Sequence, residues 1–146
     1  MGCLEAYASG TNIAVRAREA LAASGAPSPL REVGAESLTA ADVVHAAAGG
    51  DPVAISVWDE TTTLLGAGVA SVIHAFNPSR VLLGGGVTKA GDLLFEPLRR
   101  VVAQRTMPWL HDVVSIMPAE LGDRAGVLGA VAVALDPAAT NPEEDG

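Results

Sequence analysis

The stretch "LGAGVASVIHAFNPSRVLLGGGV", residues 65–87, decides the fold. Up to Phe76 it is apolar at almost every position. Asn77-Pro78 then breaks the pattern, because proline disfavours helical geometry in the residue before it. Arg80 to Leu83 is a short apolar run that reads as a buried strand, and Gly84, Gly85 and Gly86 follow it directly. A buried helix, a sharp break, a buried strand and a glycine loop belong to an α/β protein and not to a bundle of helices.

Downstream, "DVVSIMPA" at 112–119 reads as a second buried strand. Between the two, Ala90 to Arg105 is helical, with Leu94, Leu98, Val101 and Val102 inward and Pro97 as a kink or a late start. Two buried strands joined by a helix predict a parallel βαβ unit with a right-handed crossover. "ELGDRAG", 120–126, reads as a turn with Asp123 as a cap. Arg124 to Leu135 forms a final helix built on Ala125, Gly126, Gly129 and Ala130.

Upstream, Asp51 as N-cap and Pro52 at the first helical position open the long helix that ends at Phe76. Val57, Thr61, Leu64, Leu65, Gly68, Val69, Val72, Ile73 and Phe76 lie on one face. From Leu64 onward burial is expected nearly all round, and Gly66 and Gly68 admit a close neighbour. "TAADVVHAAAGG", 39–50, is a helix capped by Thr39 with Asp42 in its first turn and stopped by Gly49-Gly50. Leu4 to Ala23 is helical with an interruption at Ser9-Gly10-Thr11, where Ser9 or Thr11 caps a restart; Ser24 to Gly34 is a Pro/Gly loop. The order is α, α, α, β, α, β, α. Two strands make a poor sheet alone, so a larger α/β sheet, or one half of an oligomeric one, is expected. Residues 1–136 read as one lobe and the acidic tail 137–146 as disordered.

The formal charge is −8 and Lys89 is the one lysine, a balance that repels phosphate backbones and argues against nucleic-acid binding by this chain. Cys3 is the one cysteine, so no internal disulfide forms, which fits a reducing cytoplasm. The longest nearly uncharged apolar run, Leu64 to Phe76, is shorter than the ~18–20 residues of a membrane span. Ala6 stands where a myristoylation signal needs Ser or Thr.

The glycine loop is the leading candidate for chemistry. Ligands of open α/β sheets bind at the carboxyl ends of strands, and three residues without Cβ admit a flat ring or a phosphate to the main chain. The following helix is expected to add N–H groups and a positive dipole end. The same pattern also fits a tight βα turn with no ligand, and spacing alone leaves both open. It is neither a Walker A loop nor a dinucleotide fingerprint. Glu5 and Cys3 lie together on the first helical turn, where the carboxylate suits either sugar hydroxyls or the helix dipole. His45, His74 and His111 have no ligand spacing to Cys3. Trp58, Phe95 and Trp109 read as core or subunit contacts, His74 as a core or rim histidine, and Asp92, Glu96, Glu120 and Asp123 as caps and solvated charges.

"GCLEAYASG" (2–10), "GDPVA" (50–54), the opening stretch and "PAELGDRAGVLGA" (118–130) together resemble the carboxyl-terminal half of the ROK family. That family comprises bacterial sugar kinases, glucokinase-like enzymes among them, and sugar-responsive repressors. The resemblance runs from about Gly2 to Leu135. It implies a partial actin/hexokinase-like (ribonuclease H-like) lobe, helix-rich, with a short parallel βαβα unit. It implies ATP, with Mg²⁺, and a hexose between two lobes. Glu5 matches the glutamate that hydrogen-bonds the sugar ring, and Gly84, Gly85 and Gly86 match the loop beside the adenosine of ATP. "GCLE" matches the end of the zinc motif CxCGxxGCxE, with Cys3 as its last cysteine. The other zinc ligands, the DxGxT phosphate loop and the catalytic aspartate come earlier in the family's order and have no counterpart here. Cys3 is therefore expected to be a remnant of a zinc site that this chain does not complete. No catalytic residue is assigned, and the chain alone is expected to be inactive. A cytoplasmic sugar kinase portion that forms homo-oligomers is the leading expectation. The alternatives are the sugar-sensing domain of a ROK-type repressor and a non-catalytic oligomerising module.

Overall fold

A computed structural model of the chain describes residues 3–111 and 113–135, so the expected tail at 137–146 lies outside the described residues. Its central element is α4, Pro52–Phe76. Asp51 caps it by accepting from Ala54 N–H at 2.7 Å, and Asn77 ends it in the left-handed region at φ 44°. Against α4 pack α1 (Glu5–Ala8), α2 (Gly10–Ala23), α3 (Ala40–Ala48) and α5 (Asp92–Arg105). Ile13 and Ala17 from α2, Val43 from α3, Ile73 from α4, and Leu94 and Leu98 from α5 are buried in one shared core. Residues one helical turn apart face the same way, which is how the apolar spacing of each helix becomes a common interior.

Thr39 and Asp51 cap where the sequence places them, and of Ser9 and Thr11 it is Ser9 that caps the restart; Asp123, expected as a cap, falls inside a 3₁₀ turn, Gly122–Arg124. Ser9 separates α1 from α2 and accepts from Asn12 N–H at 3.3 Å. Thr39 and Asp42 exchange hydrogen bonds in a full capping box, and Gly50 takes φ 86° beyond the end of α3. Cβ atoms built at Gly66 and Gly68 would fall 2.7 Å from Val101 Cγ1 and 2.8 Å from Leu4 Cδ2. At Gly66 the Val101 Cβ, at 2.8 Å, is crowded as well, so a glycine is needed for this close approach; at Gly68 the neighbour is the movable end of the Leu4 side chain. The second half of α4 is less covered than expected: Val72 is 44% exposed and Phe76 77%.

Strands β1 (Arg80–Leu83) and β2 (Ser115–Pro118) pair in parallel, with Val81 opposite Ile116 and Leu83 opposite Pro118. The βαβ unit is as expected, with Arg99 of α5 donating to Ile116 O at 2.9 Å. Deep burial of the strands is not: only Ile116 is buried, and Leu82 is 60% exposed. The face of this two-stranded sheet that carries Leu82 and Met117 is left exposed.

Pro97 neither starts nor ends α5; it sits inside it. A proline there cannot donate to the carbonyl four residues back, which is Leu93. The buried indole of Trp58 supplies that bond, Nε1 to Leu93 O at 3.0 Å. A short helix, α6 (Pro108–His111), was not foreseen, and it carries Trp109, which is 65% exposed and lies outside the core. Trp58 and Phe95 are buried in the core as expected. Last comes α7, Ala125–Leu135.

Candidate functional site

β1 ends at Leu83, whose carbonyl accepts from Ala119 N–H at 2.8 Å, and Gly84 follows it. Gly85 takes φ 97° and ψ 170°, a conformation that side-chain-bearing residues rarely adopt. A 3₁₀ turn, Gly86–Ala90, follows, closed by Thr88 donating to Gly85 O through its amide at 3.1 Å and its hydroxyl at 2.7 Å. A Cβ at Gly85 or Gly86 would meet nothing within 4 Å. The bare main chain of this loop faces open space and not a packed neighbour. The expected helix dipole is displaced: α5 begins only at Asp92, behind Gly91 at φ 57°, with an acid in its first turn.

Two cavities flank the loop's last residues and share Ala40, Ala41, Gly86 and Val87. The first, of about 510 Å³, reaches Gly10, Thr11, Arg18, Glu36 and Thr39 on the opposite wall. Arg18 is steadied there by donating to Ala35 O at 3.0 Å. The second, of about 290 Å³, is walled by Val44, His45, Trp58, Lys89 and Leu93. The cap of α3 lies at the edge of the first. Hydrogen bonds from the Thr39 hydroxyl and backbone N–H hold the Asp42 carboxyl below the usual carboxylate range.

Glu5 lies on α1 and is exposed; no hydrogen bond or ion pair to its carboxylate is made among the described residues. Its carbonyl accepts from Ser9 N–H at 3.0 Å and Asn12 Nδ2 at 3.2 Å. Glu5 itself does not line the first cavity, but Gly10 and Thr11, at the start of the next helix, do. Cys3 is an exposed thiol, and no group of three or more His, Cys, Asp or Glu among the described residues is placed to hold a metal ion. His74 is an exposed rim residue with Nδ1 2.9 Å from Ala70 O. Thr11, Arg18 and Thr39 were not foreseen as site residues. Thr39 was legible as a cap, but nothing in the sequence shows that it faces Gly86.

The sequence model of the ROK family matches residues 1–137. The chain belongs to the ROK family. It is 37% identical over 129 residues to a glucokinase of Halalkalibacterium halodurans, a match covering 88% of this chain and 39% of that protein. It is 29% identical over 135 residues to a putative xylose repressor of a Caldicellulosiruptor species, covering 92% of this chain and 34% of the repressor. Its structure superposes with a TM-score of 0.73 on a ROK family glucokinase from Streptomyces griseus, solved in complex with glucose and AMPPNP, at 28% identity. That superposition covers 91% of this chain and 44% of the glucokinase. The chain thus spans well under half the length of the relatives it matches. The fold is a helix-rich portion of an actin/hexokinase-like lobe with a short parallel sheet. Among the described residues, no helix is long and apolar enough to cross a membrane.

Proposed function

We propose that this ROK family chain is the carboxyl-terminal portion of an ATP-dependent sugar kinase, glucokinase-like, that moves the γ-phosphate of ATP to a hexose hydroxyl. The observation that carries this reading is the 510 Å³ cavity in which the start of α2 meets Gly86 and Val87. Two segments far apart in sequence, one next to the sugar glutamate and one in the adenosine loop, share a space of ordinary ligand-pocket size. Glu5 accepts hydrogen bonds from sugar hydroxyls. Gly85 and Gly86 let the adenosine lie against main chain. The nucleotide brings Mg²⁺ as its counter-ion. Phosphoryl transfer needs positioning, charge neutralisation and a group to take the hydroxyl proton. The described residues provide positioning, and none is assigned as the base. Cys3, without ligand partners among the described residues, does not fit a zinc site.

Titration of the purified chain with AMPPNP, followed by calorimetry, tests the reading. Gly86→Leu fills the cavity without a backbone clash, because no atom lies near the added Cβ. The expected result is binding by the wild type, loss in G86L with unchanged circular dichroism, and no glucose phosphorylation by the chain alone. Equal binding by G86L, or none by the wild type, overturns the nucleotide assignment. Similarity to the xylose repressor supports a second reading, a sugar-sensing effector domain. Glucose binding that depends on Glu5, without any AMPPNP binding, favours it. Either reading has the protein act in the cytoplasm and self-associate through exposed apolar side chains such as Phe76. A monomer by light scattering at micromolar concentration overturns the self-association.

A further inference from the structure

The helix that carries Glu5 is one turn long, Glu5–Ala8, and contains no buried residue. So short a helix has no stability of its own, because nucleation costs more than a single turn returns. Its position must come from outside. Leu4 packs on Gly68, and Asn12 Nδ2 holds the Glu5 carbonyl. The third anchor is Arg16. One guanidinium nitrogen, Nη1, donates at 2.9 Å to Tyr7 O and at 2.9 Å to Thr61 Oγ1. The other, Nη2, donates to Val57 O at 3.4 Å and to the carboxylate of Glu60. The guanidinium carbon also lies 6.0 Å from the centre of the Tyr7 ring.

The Arg16 side chain is 13% exposed, and Thr61, fully buried, uses its own hydroxyl proton on Val57 O at 2.7 Å. Thr61 Oγ1 is thereby oriented to accept from Arg16. Tyr7 O lies at the carboxyl end of α1, where carbonyls lack an intrahelical partner and accept from a cationic side chain. A planar fork serving two helices at once is a task for arginine; a lysine ammonium is a point charge on a flexible stem.

We infer that Arg16 is the positioning residue of the sugar glutamate: it locks α1 onto α4 so that the Glu5 carboxylate is presented from a fixed backbone. This rests on the sugar-binding reading of Glu5, but the clamp itself is measurable without any sugar. Cys3, exposed two residues before Glu5, is the chain's one thiol and takes a nitroxide label at a single site. Electron paramagnetic resonance of labelled wild type, Arg16→Lys and Arg16→Met then reports the mobility of this turn. The spectrum is expected to sharpen in R16M and in R16K while circular dichroism is unchanged. An unchanged spectrum in folded R16K overturns the clamp, and R16K keeps the test open if R16M does not fold.

Glucose and AMPPNP titrations of the unlabelled proteins separate positioning from general loosening. R16K is expected to weaken glucose binding about tenfold, the scale of a lost hydrogen bond from a charged group, and to leave AMPPNP affinity unchanged. In an E5Q background the R16K effect on glucose is expected to disappear. A mobile label with unaltered glucose affinity overturns the positioning role. A mobile label in a chain whose wild type binds no glucose leaves the clamp standing and removes the sugar reading of Glu5.

Discussion

Helices α5 and α7 are both rich in aliphatic side chains, and they end in opposite surroundings. In α5, Leu94, Phe95, Leu98 and Val102 are buried, mostly against α4. In α7, Val127 is 68% exposed, Val131 48% and Leu135 76%, and none of its residues is buried. The difference lies in what stands between the apolar positions. Asp92, Glu96 and Arg100 mark the outer side of α5, and so the pattern says which face must be covered. Between Ala125 and Leu135 there is no polar side chain. Uniform apolarity demands cover from every side and names no partner.

The largest effect that tests this contrast is a truncation in each helix. Leu98 is fully buried, so Leu98→Ala is expected to cost about 2–5 kcal/mol of unfolding free energy, read from the urea midpoint. Val131→Ala is expected to stay within about 0.5 kcal/mol. Equal costs would erase the contrast and place Val131 in a buried environment in solution.

Glycine substitutions sharpen it through their sign. Alanine gains about 1 kcal/mol over glycine in a helix interior. At Gly66 that gain is opposed by a Cβ only 2.7 Å from Val101 Cγ1 and 3.4 Å from Leu98 O. Overpacking of this kind costs about 1–3 kcal/mol, so Gly66→Ala is expected to lower the melting temperature. At Gly129 a Cβ meets nothing within 4 Å, and Gly129→Ala is expected to raise it. A rise in both would mean that α4 and α5 give way more readily than their contact distances suggest.

A smaller effect than at Leu98 is expected at the cap of α3, where contacts are local and packing plays little part. Thr39→Ala is expected to cost about 1 kcal/mol at neutral pH. Asp42 has its pKa lowered from 3.8, first by the Thr39 hydroxyl and then by the Thr39 backbone N–H. A carboxylate with a depressed folded pKa stabilises fully above its unfolded value, and that contribution fades as pH falls through the folded one. The stability difference between wild type and Asp42→Asn should therefore shrink on acidification, in urea melts taken across the carboxylate range. A difference that persists unchanged in acid would remove the charged capping box.

How much was legible follows the same division. Ser9, Thr39 and Asp51 were readable because a cap acts within three residues. The helix from Pro52 to Phe76 was readable from its start signal, its apolar face and its Asn-Pro stop. The strands were readable as strands but not as half-exposed ones, since a run such as Arg80–Leu83 carries no information on how many neighbours cover it. Whether α5 runs through Pro97 or starts late at it was not readable, because the donor that replaces the missing bond is Trp58, on another helix. In the site, the glycines and Glu5 could be singled out by residue type and family resemblance. Thr11, Arg16 and Arg18 could not, because each acquires its role from a partner far along the chain.

By itself the sequence determined most of the helix limits, the order of the elements apart from α6, the parallel βαβ unit and the membership of the ROK family. These depend on interactions within a few residues or on motifs in fixed order. Tertiary structure alone decided that the start of α2 faces the glycine loop across one cavity and that Arg16 ties the Glu5 turn to α4. Both require side chains from separate helices to meet at hydrogen-bonding or van der Waals distance, and only the packing of those helices around a common core brings them there.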